Sequence, residues 1–165
     1  MIAIKNILVA TDFGEAADSA LGYGRELAAK FGATLHALNV VENFYITTFG
    51  AETYAAFVPE MQSEIETQAR KRLDELLIDS DGSGPSTRAV VVTSGSAAYA
   101  IVDYAAEHHI DLIIMGTHGR GALAHLMMGS VAERVVRIAP CPVLTVRHPE
   151  HEFVRPDALV AAARA

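Results

Sequence analysis

The sequence holds one cysteine, Cys141, among 165 residues. A single thiol excludes an intrachain disulfide framework and any multi-cysteine metal site. Basic side chains are also scarce: 13 Lys and Arg stand against 20 Asp and Glu, for a formal net charge of −7. That balance, with a pI of about 5.4, argues against general binding to a nucleic-acid backbone, which needs a basic surface. No basic run, low-complexity tract or internal repeat is present. No apolar run approaches the roughly 20 residues needed to span a bilayer, so no membrane partner is expected. The opening MIAIKNILVATDF is too short and too soon charged for a signal peptide. Together these absences point to a reducing, cytoplasmic setting.

What is present is apolar content. Hydrophobic residues make up 51% of the chain and mean hydropathy is +0.24, enough for a substantial core in one domain. Element types alternate. Strands are expected at Ile4–Ala10, Thr34–Val41, Thr87–Thr93, Asp111–Met115 and Val143–Val146. Helices are expected at Glu15–Phe31, Met61–Ile78, Ala97–His108 and Ser130–Ile138. In the first helix Ala17, Ala20, Leu21, Gly24, Leu27, Ala28 and Phe31 recur at helical spacing, and Gly32 is a natural stop. In the second, Ile65, Ala69, Leu73 and Leu76 form an apolar stripe on a Glu- and Arg-rich background. Glu42–Pro59 reads as an irregular excursion and Asp79–Pro85 as a turn-rich loop. The domain is expected to span residues 1–147. Residues 148–165 form a C-terminal extension, with a short helix expected at Asp157–Arg164.

Strands alternating with helices imply βαβ units and a parallel sheet. Val- and Ile-rich strands without strict alternation fit burial on both faces. Five strands suggest an α/β doubly wound sheet. In the order 3-2-1-4-5 the winding reverses between strands 1 and 4, and ligands bind at such a switch point, outside the carboxyl ends of the strands. Thr11-Asp12 ends strand 1, and Gly116-Thr117-His118-Gly119 ends strand 4. Gly129-Ser130 then opens a helix, whose free N–H groups and positive dipole end suit phosphate. Ser130 can cap that helix or donate its hydroxyl to an anion. Gly116 and Gly119 would let the backbone approach a ligand or form an anion-binding nest. Asp12 could accept hydrogen bonds from ribose hydroxyls or an adenine amino group.

Other nucleotide motifs are absent. GTHGRGAL has the glycine spacing of a P-loop but places Ala122-Leu123 where Lys and Ser or Thr are required. No GxGxxG follows the first strand.

The spacing Gly116-x2-Gly119-x9-Gly129-Ser130 resembles the signature of ATP-binding universal stress proteins. ILVATDF at Ile7–Phe13 looks like that family's opening, and APCPVLTVR at Ala139–Arg147 looks like its closing strand. The resemblance covers about Lys5 to Arg147. It implies a Rossmann-like sheet of the adenine nucleotide alpha hydrolase type and a nucleotide-dependent regulatory or stress-response module. It implies ATP as ligand, with AMP or ADP as alternatives, and Mg or Mn only through the phosphates. Asp12 matches the family's acidic residue after strand 1, and Val40 the position whose backbone reads the adenine edge. Gly116 matches the glycine beside the ribose, and Gly119, Gly129 and Ser130 the phosphate cradle. Thr11, Met115, Thr117 and Val131 would be secondary lining. Between the second and third motif glycines, Ala124 and His125 stand where many relatives carry basic residues, leaving Arg120 as the constant charge.

Rival readings compete with these. A slow ATPase or phosphotransferase could use the same cleft, with His118 and His125 as its only candidate groups. A nucleotide-free interaction scaffold is the third reading, and the intact glycine motif argues against it. At most weak ATP hydrolysis is expected, since no P-loop lysine or convergent base is evident. Asp12 alone could be an ordinary turn or cap residue. His148-Pro149-Glu150-His151 and His108-His109 read as solvated histidines, not metal ligands. His118 and Ser130 lack an elbow or an orienting acid for a triad. Cys141 reads as a buried structural thiol. Tyr45, Phe49, Tyr54 and Phe57 fit either a lid over adenine or packing against the sheet. Strand 5, an apolar edge with Pro142 at its start, is expected to pair with a second copy in a homodimer, as the resemblance also implies. The tail could instead fold back over that edge.

Overall fold

The computed structural model describes residues 2–43, 58–78, 84–118 and 128–148. The elements in chain order are β1 (Asn6–Ala10), α1 (Glu15–Phe31), β2 (Thr34–Glu42), α2 (Val58–Leu77) and β3 (Thr87–Ser94). They continue as α3 (Ala97–Glu107), β4 (Leu112–Gly116), α4 (Ser130–Ile138) and β5 (Val143–Val146). The strands form one five-stranded sheet in the order β3-β2-β1-β4-β5, every pairing parallel.

The side chains of β1 divide between two cores. Ile7 and Val9 pack with Ala20, Leu21, Ala28, Leu35 and Ile114 under α1. Leu8 and Ala10 pack with Leu38, Ile101, Ile113 and Val135 under α3 and α4. A strand buried on both faces needs a continuous apolar run rather than alternation, and NILVA supplies it. Complete burial of a side chain such as Ile114 stabilises the fold by about 1.5–3 kcal/mol.

The first helix follows from its sequence. Acidic Glu15 and Asp18 lie in its first turn and Lys30 in its last, matching the helix dipole. Gly32 ends it at φ 65°, with its N–H turned to the carbonyls of Ala28 and Ala29, a left-handed cap that favours glycine. A Cβ on Gly24 would collide with the Val9 side chain, so this glycine lets α1 lie close on β1. Phe31 departs from expectation. It sits on the final turn, past Ala28, the last buried position of α1, and is 44% exposed. The second helix starts three residues earlier than expected, with Pro59 in its first turn, where a missing N–H costs no helix bond. Its stripe is buried at Ala69 and Leu73, and Leu76 packs against the α1 core.

The excursion at 44–57, most of the loop at 79–83, the motif segment 119–127 and the tail at 149–165 lie outside the described residues. The aromatic lid residues, Gly119, Arg120, His125 and the tail helix fall within them.

Candidate functional site

A crevice of about 460 Å³ opens at the carboxyl end of the sheet, between β1 and β4. The chain leaves β1 for α1 on one face and leaves β4 toward α4 on the other, so the two connections diverge and the described residues leave a space between them. Its volume is that of a small-molecule site. All nine described residues among those expected from the sequence line it: Thr11, Asp12, Val40, Met115, Gly116, Thr117, Gly129, Ser130 and Val131. Gly119 and Arg120 lie outside the described residues.

On the β1 side, the chain makes a tight turn. The Thr11 N–H donates to the Leu38 carbonyl at 2.9 Å. The Phe13 N–H donates to Thr11 Oγ1 at 3.0 Å, and the Gly14 N–H to Asp12 Oδ1 at 3.0 Å. Part of the Asp12 carboxylate therefore serves the turn, as the ordinary reading of an Asp after a strand requires. The same residue also lines the crevice. Phe13 adopts φ 63°, a left-handed conformation that costs a non-glycine residue about 1–2 kcal/mol.

On the β4 side, Thr117 closes the strand. Its N–H donates to the Val146 carbonyl at 2.8 Å, and its carbonyl accepts the Gly129 N–H at 2.7 Å. This second bond brings the start of α4 back to the end of β4. Gly129 occupies the cap position of α4 at φ −73°, ψ 156°, and Ser130 is the first helical residue. Ser130 is thus not the cap. The first α4 bond runs from the Glu133 N–H to the Gly129 carbonyl at 2.9 Å, so the N–H groups of Ser130, Val131 and Ala132 precede the helix ladder. Such groups, at the positive end of a helix, bind anions.

The two glycines differ. A Cβ on Gly116 would lie 2.8 Å from Ala16 Cβ and 3.1 Å from the Ala16 carbonyl carbon. Gly116 is therefore required by the packing of α1 on β4, whatever the ligand. The Gly129 backbone lies in a region open to any residue, so its conformation does not demand glycine.

The walls are chemically divided. Leu38, Val40, Ala97, Ile101 and Met115 make an apolar side, suited to a flat heterocycle. Asp12 is the acidic lining residue, and among the described lining residues there is no lysine or arginine. An anionic group would rest on backbone N–H groups and the Ser130 hydroxyl. His118 also lines the crevice, its Nδ1 3.0 Å from Thr117 Oγ1. The described residues contain no group of three or more His, Cys, Asp or Glu arranged to hold a metal.

Several lining residues escaped sequence reasoning. Asn39 is one; it is buried, and its Nδ2 donates to the Thr11 carbonyl at 2.8 Å. Its position beside Val40 was the available signal. Ala97, Ile101 and Ala132 arrive from helices, and no motif marks them.

A model of the universal stress protein family matches residues 3–147. The chain belongs to this family. Among curated relatives, universal stress protein A homolog 1 of Coxiella burnetii is 33% identical over 142 residues, covering 86% of this chain and 95% of the relative. Among solved structures, UspA from Lactobacillus plantarum superposes with a TM-score of 0.72 at 27% identity, covering 89% of this chain and all of that one. The universal stress protein from Archaeoglobus fulgidus in complex with dAMP shares the fold, with a TM-score of 0.54 at 21% identity over 88% of this chain and 99% of that one. The crevice is thus the switch point of a universal stress protein sheet.

The other histidines and the thiol lie elsewhere. His148 is exposed but not solely solvated: its Nε2 lies 3.3 Å from Glu15 Oε2, and its Nδ1 3.3 Å from Ser19 Oγ. Cys141 is half-buried, and burial pushes its thiol pKa up, as a structural role requires. His36 is buried. Burial, then the charges of Arg88 and His108, lower its pKa from 6.5 to about 4.

Proposed function

We propose that this universal stress protein is an ATP-binding regulatory module, holding the nucleotide in the crevice between β1 and β4. One observation carries the reading. Asp12 and the open N-terminus of α4 stand on two sides of one cavity with an apolar wall between them. Adenine fits the apolar wall, Asp12 suits the ribose or the base edge, and the phosphates suit the N–H groups of Ser130 to Ala132. The dAMP complex of the Archaeoglobus fulgidus protein stands at 21% identity and supports the fold; the ligand reading rests on the crevice itself. A divalent ion, Mg or Mn, would ride on the phosphates. Titration calorimetry with ATP, ADP and AMP tests the proposal, with ATP binding expected. Protein that binds none of them, and releases no nucleotide to mass spectrometry after purification, would refute it.

Turnover is at most weak in this reading. The described crevice offers no lysine for transition-state charge. Phosphate release under excess Mg-ATP should stay far below one turnover per second, on the order of the slow intrinsic nucleotide hydrolases. The module would act in the cytoplasm by conformation or through a protein partner. No described helix is long and apolar enough to cross a membrane.

The proposed assembly is a homodimer through β5, an edge of the sheet. The carbonyls of Pro142 and Val146 accept from Ile113 and Thr117. Even-numbered residues of β5 therefore turn their backbone groups toward β4, and Val143 and Thr145 turn theirs outward. Leu144→Pro would break the sheet itself, so Thr145→Pro is the informative variant. Sedimentation should show a wild-type dimer that this proline splits. A wild-type monomer at micromolar concentration would exclude the interface.

A further inference from the structure

The turn that presents Asp12 is held at both of its ends, from the crevice wall before it and from α2 after it. Asn39 of β2 fixes its start, donating to the Thr11 carbonyl at 2.8 Å. Phe13, the residue after Asp12, stands in the left-handed region at φ 63°. A bulky residue keeps that conformation only where its surroundings over-determine it. Part of those surroundings is on α2. The Arg72 guanidinium lies over the Phe13 ring, 4.2 Å from its centroid, in a small recess completed by Asp18, Glu75 and Leu76. The far end of α2 is tied to α1, where the Arg25 guanidinium donates to the Leu76 carbonyl. The helix is thus anchored to the α1 layer and places a cation on the ring that follows Asp12.

We propose that Arg72 is a positioning residue of the nucleotide crevice: by stacking on Phe13 it holds the strained turn in the conformation that presents the Asp12 carboxylate to the base–ribose end of the ligand. The inference rests on the nucleotide reading above. It makes α2 the element through which events outside the crevice reach the ligand, since any shift of this helix moves the cation off the ring. Arg72 is not among the residues of the crevice wall and acts through Phe13.

The test compares adenosine with ATP. Arg72→Ala should weaken both about threefold, and by the same factor, because the lost contact is worth a modest cation–π energy and acts at the end the two ligands share. Arg72 is exposed, so the melting temperature should move by about 2 °C or less. Arg72→Lys keeps a cation over the ring and should restore most of the affinity. Phe13→Gly removes both ring and conformational strain; affinity should fall about tenfold while stability holds or rises. If Arg72→Ala weakens ATP but leaves adenosine unchanged, the arginine acts on phosphate charge at a distance, and the proposal fails. Unchanged affinity for both ligands, or affinity and stability falling together in Phe13→Gly, also overturns it. Wild-type protein that binds neither ligand refutes the nucleotide reading instead, and this inference with it.

Discussion

The two ends of the sheet treat polar side chains in opposite ways. At the carboxyl end, Asp12, Thr117, Ser130 and the free end of α4 surround an open crevice. Toward the other end, polar groups close on one another. His36 Nδ1 lies 2.9 Å from the Tyr104 hydroxyl, and the Tyr104 ring stacks on His108 with centroids 3.9 Å apart. The cause is topological. At the carboxyl end the connections from β1 and β4 depart to opposite faces, so none of the described residues fills the space between them. His36 instead points into the face covered by α3, which brings Tyr104 and His108 onto it. At the carboxyl end polar residues surround a cavity, whereas at the other end His36, Tyr104 and His108 pack on one another.

The sharpest way to break this contrast is Gly129→Val. The φ and ψ of Gly129 are open to any residue, so the variant should carry no backbone strain, while a branched side chain should obstruct the N–H groups of α4. Losing two or more hydrogen bonds to a charged ligand should weaken ATP by roughly a hundredfold or more. Calorimetry on folded variant checks this, and undiminished affinity would remove the phosphate from that helix end.

The closed end should instead register in stability against pH. The folded pKa of His36 lies below its ordinary value of 6.5, at about 4. The unfolded chain therefore binds a proton more readily in that window. Stability from this group is intact above pH 6.5 and declines as pH falls toward 4, by up to about 3 kcal/mol. Arg88, Tyr104 and His108 face the same ring. Thermal unfolding of wild type and His36→Gln between pH 4 and 7 tests it: the difference between them should shrink as pH falls. Parallel profiles would mean that His36 carries none of the dependence.

Gly116→Ala probes the boundary between site and core. The added methyl group meets Ala16, and overpacking of this kind costs about 1–3 kcal/mol. The loss should appear in the melting temperature with no nucleotide present. A variant as stable as wild type but defective in binding would return Gly116 to the ligand-approach role expected from the motif.

The smallest effect on stability belongs to Ser130→Ala. The hydroxyl does not cap α4, so stability should change little. One hydrogen bond to phosphate, about 1.5–3 kcal/mol, is lost, and it should show as weaker ATP binding with adenosine unaffected. Equal loss for both ligands would mean that Ser130 lies nearer the base.

Much of this was legible in the chain. Apolar runs such as NILVA and LIIMG, helical spacing in α1 and the stop at Gly32 determined the element order, and parallel crossover rules left few sheet topologies, the observed 3-2-1-4-5 among them. Gly116, Gly129, Ser130 and Asp12 marked both sides of the crevice, because polar and glycine-rich junctions after β1 and β4 are local features of the sequence. Tertiary structure alone decided the rest. Phe31 fits the helical period yet ends up exposed, because periodicity does not show where the sheet's cover stops. Gly116 looked like a ligand glycine, but the constraint comes from Ala16, a hundred positions earlier. Arg72 and Asn39 carry no motif. Each gains its meaning from a partner distant in sequence, Phe13 for one and Thr11 for the other, and only folding brings those partners within contact.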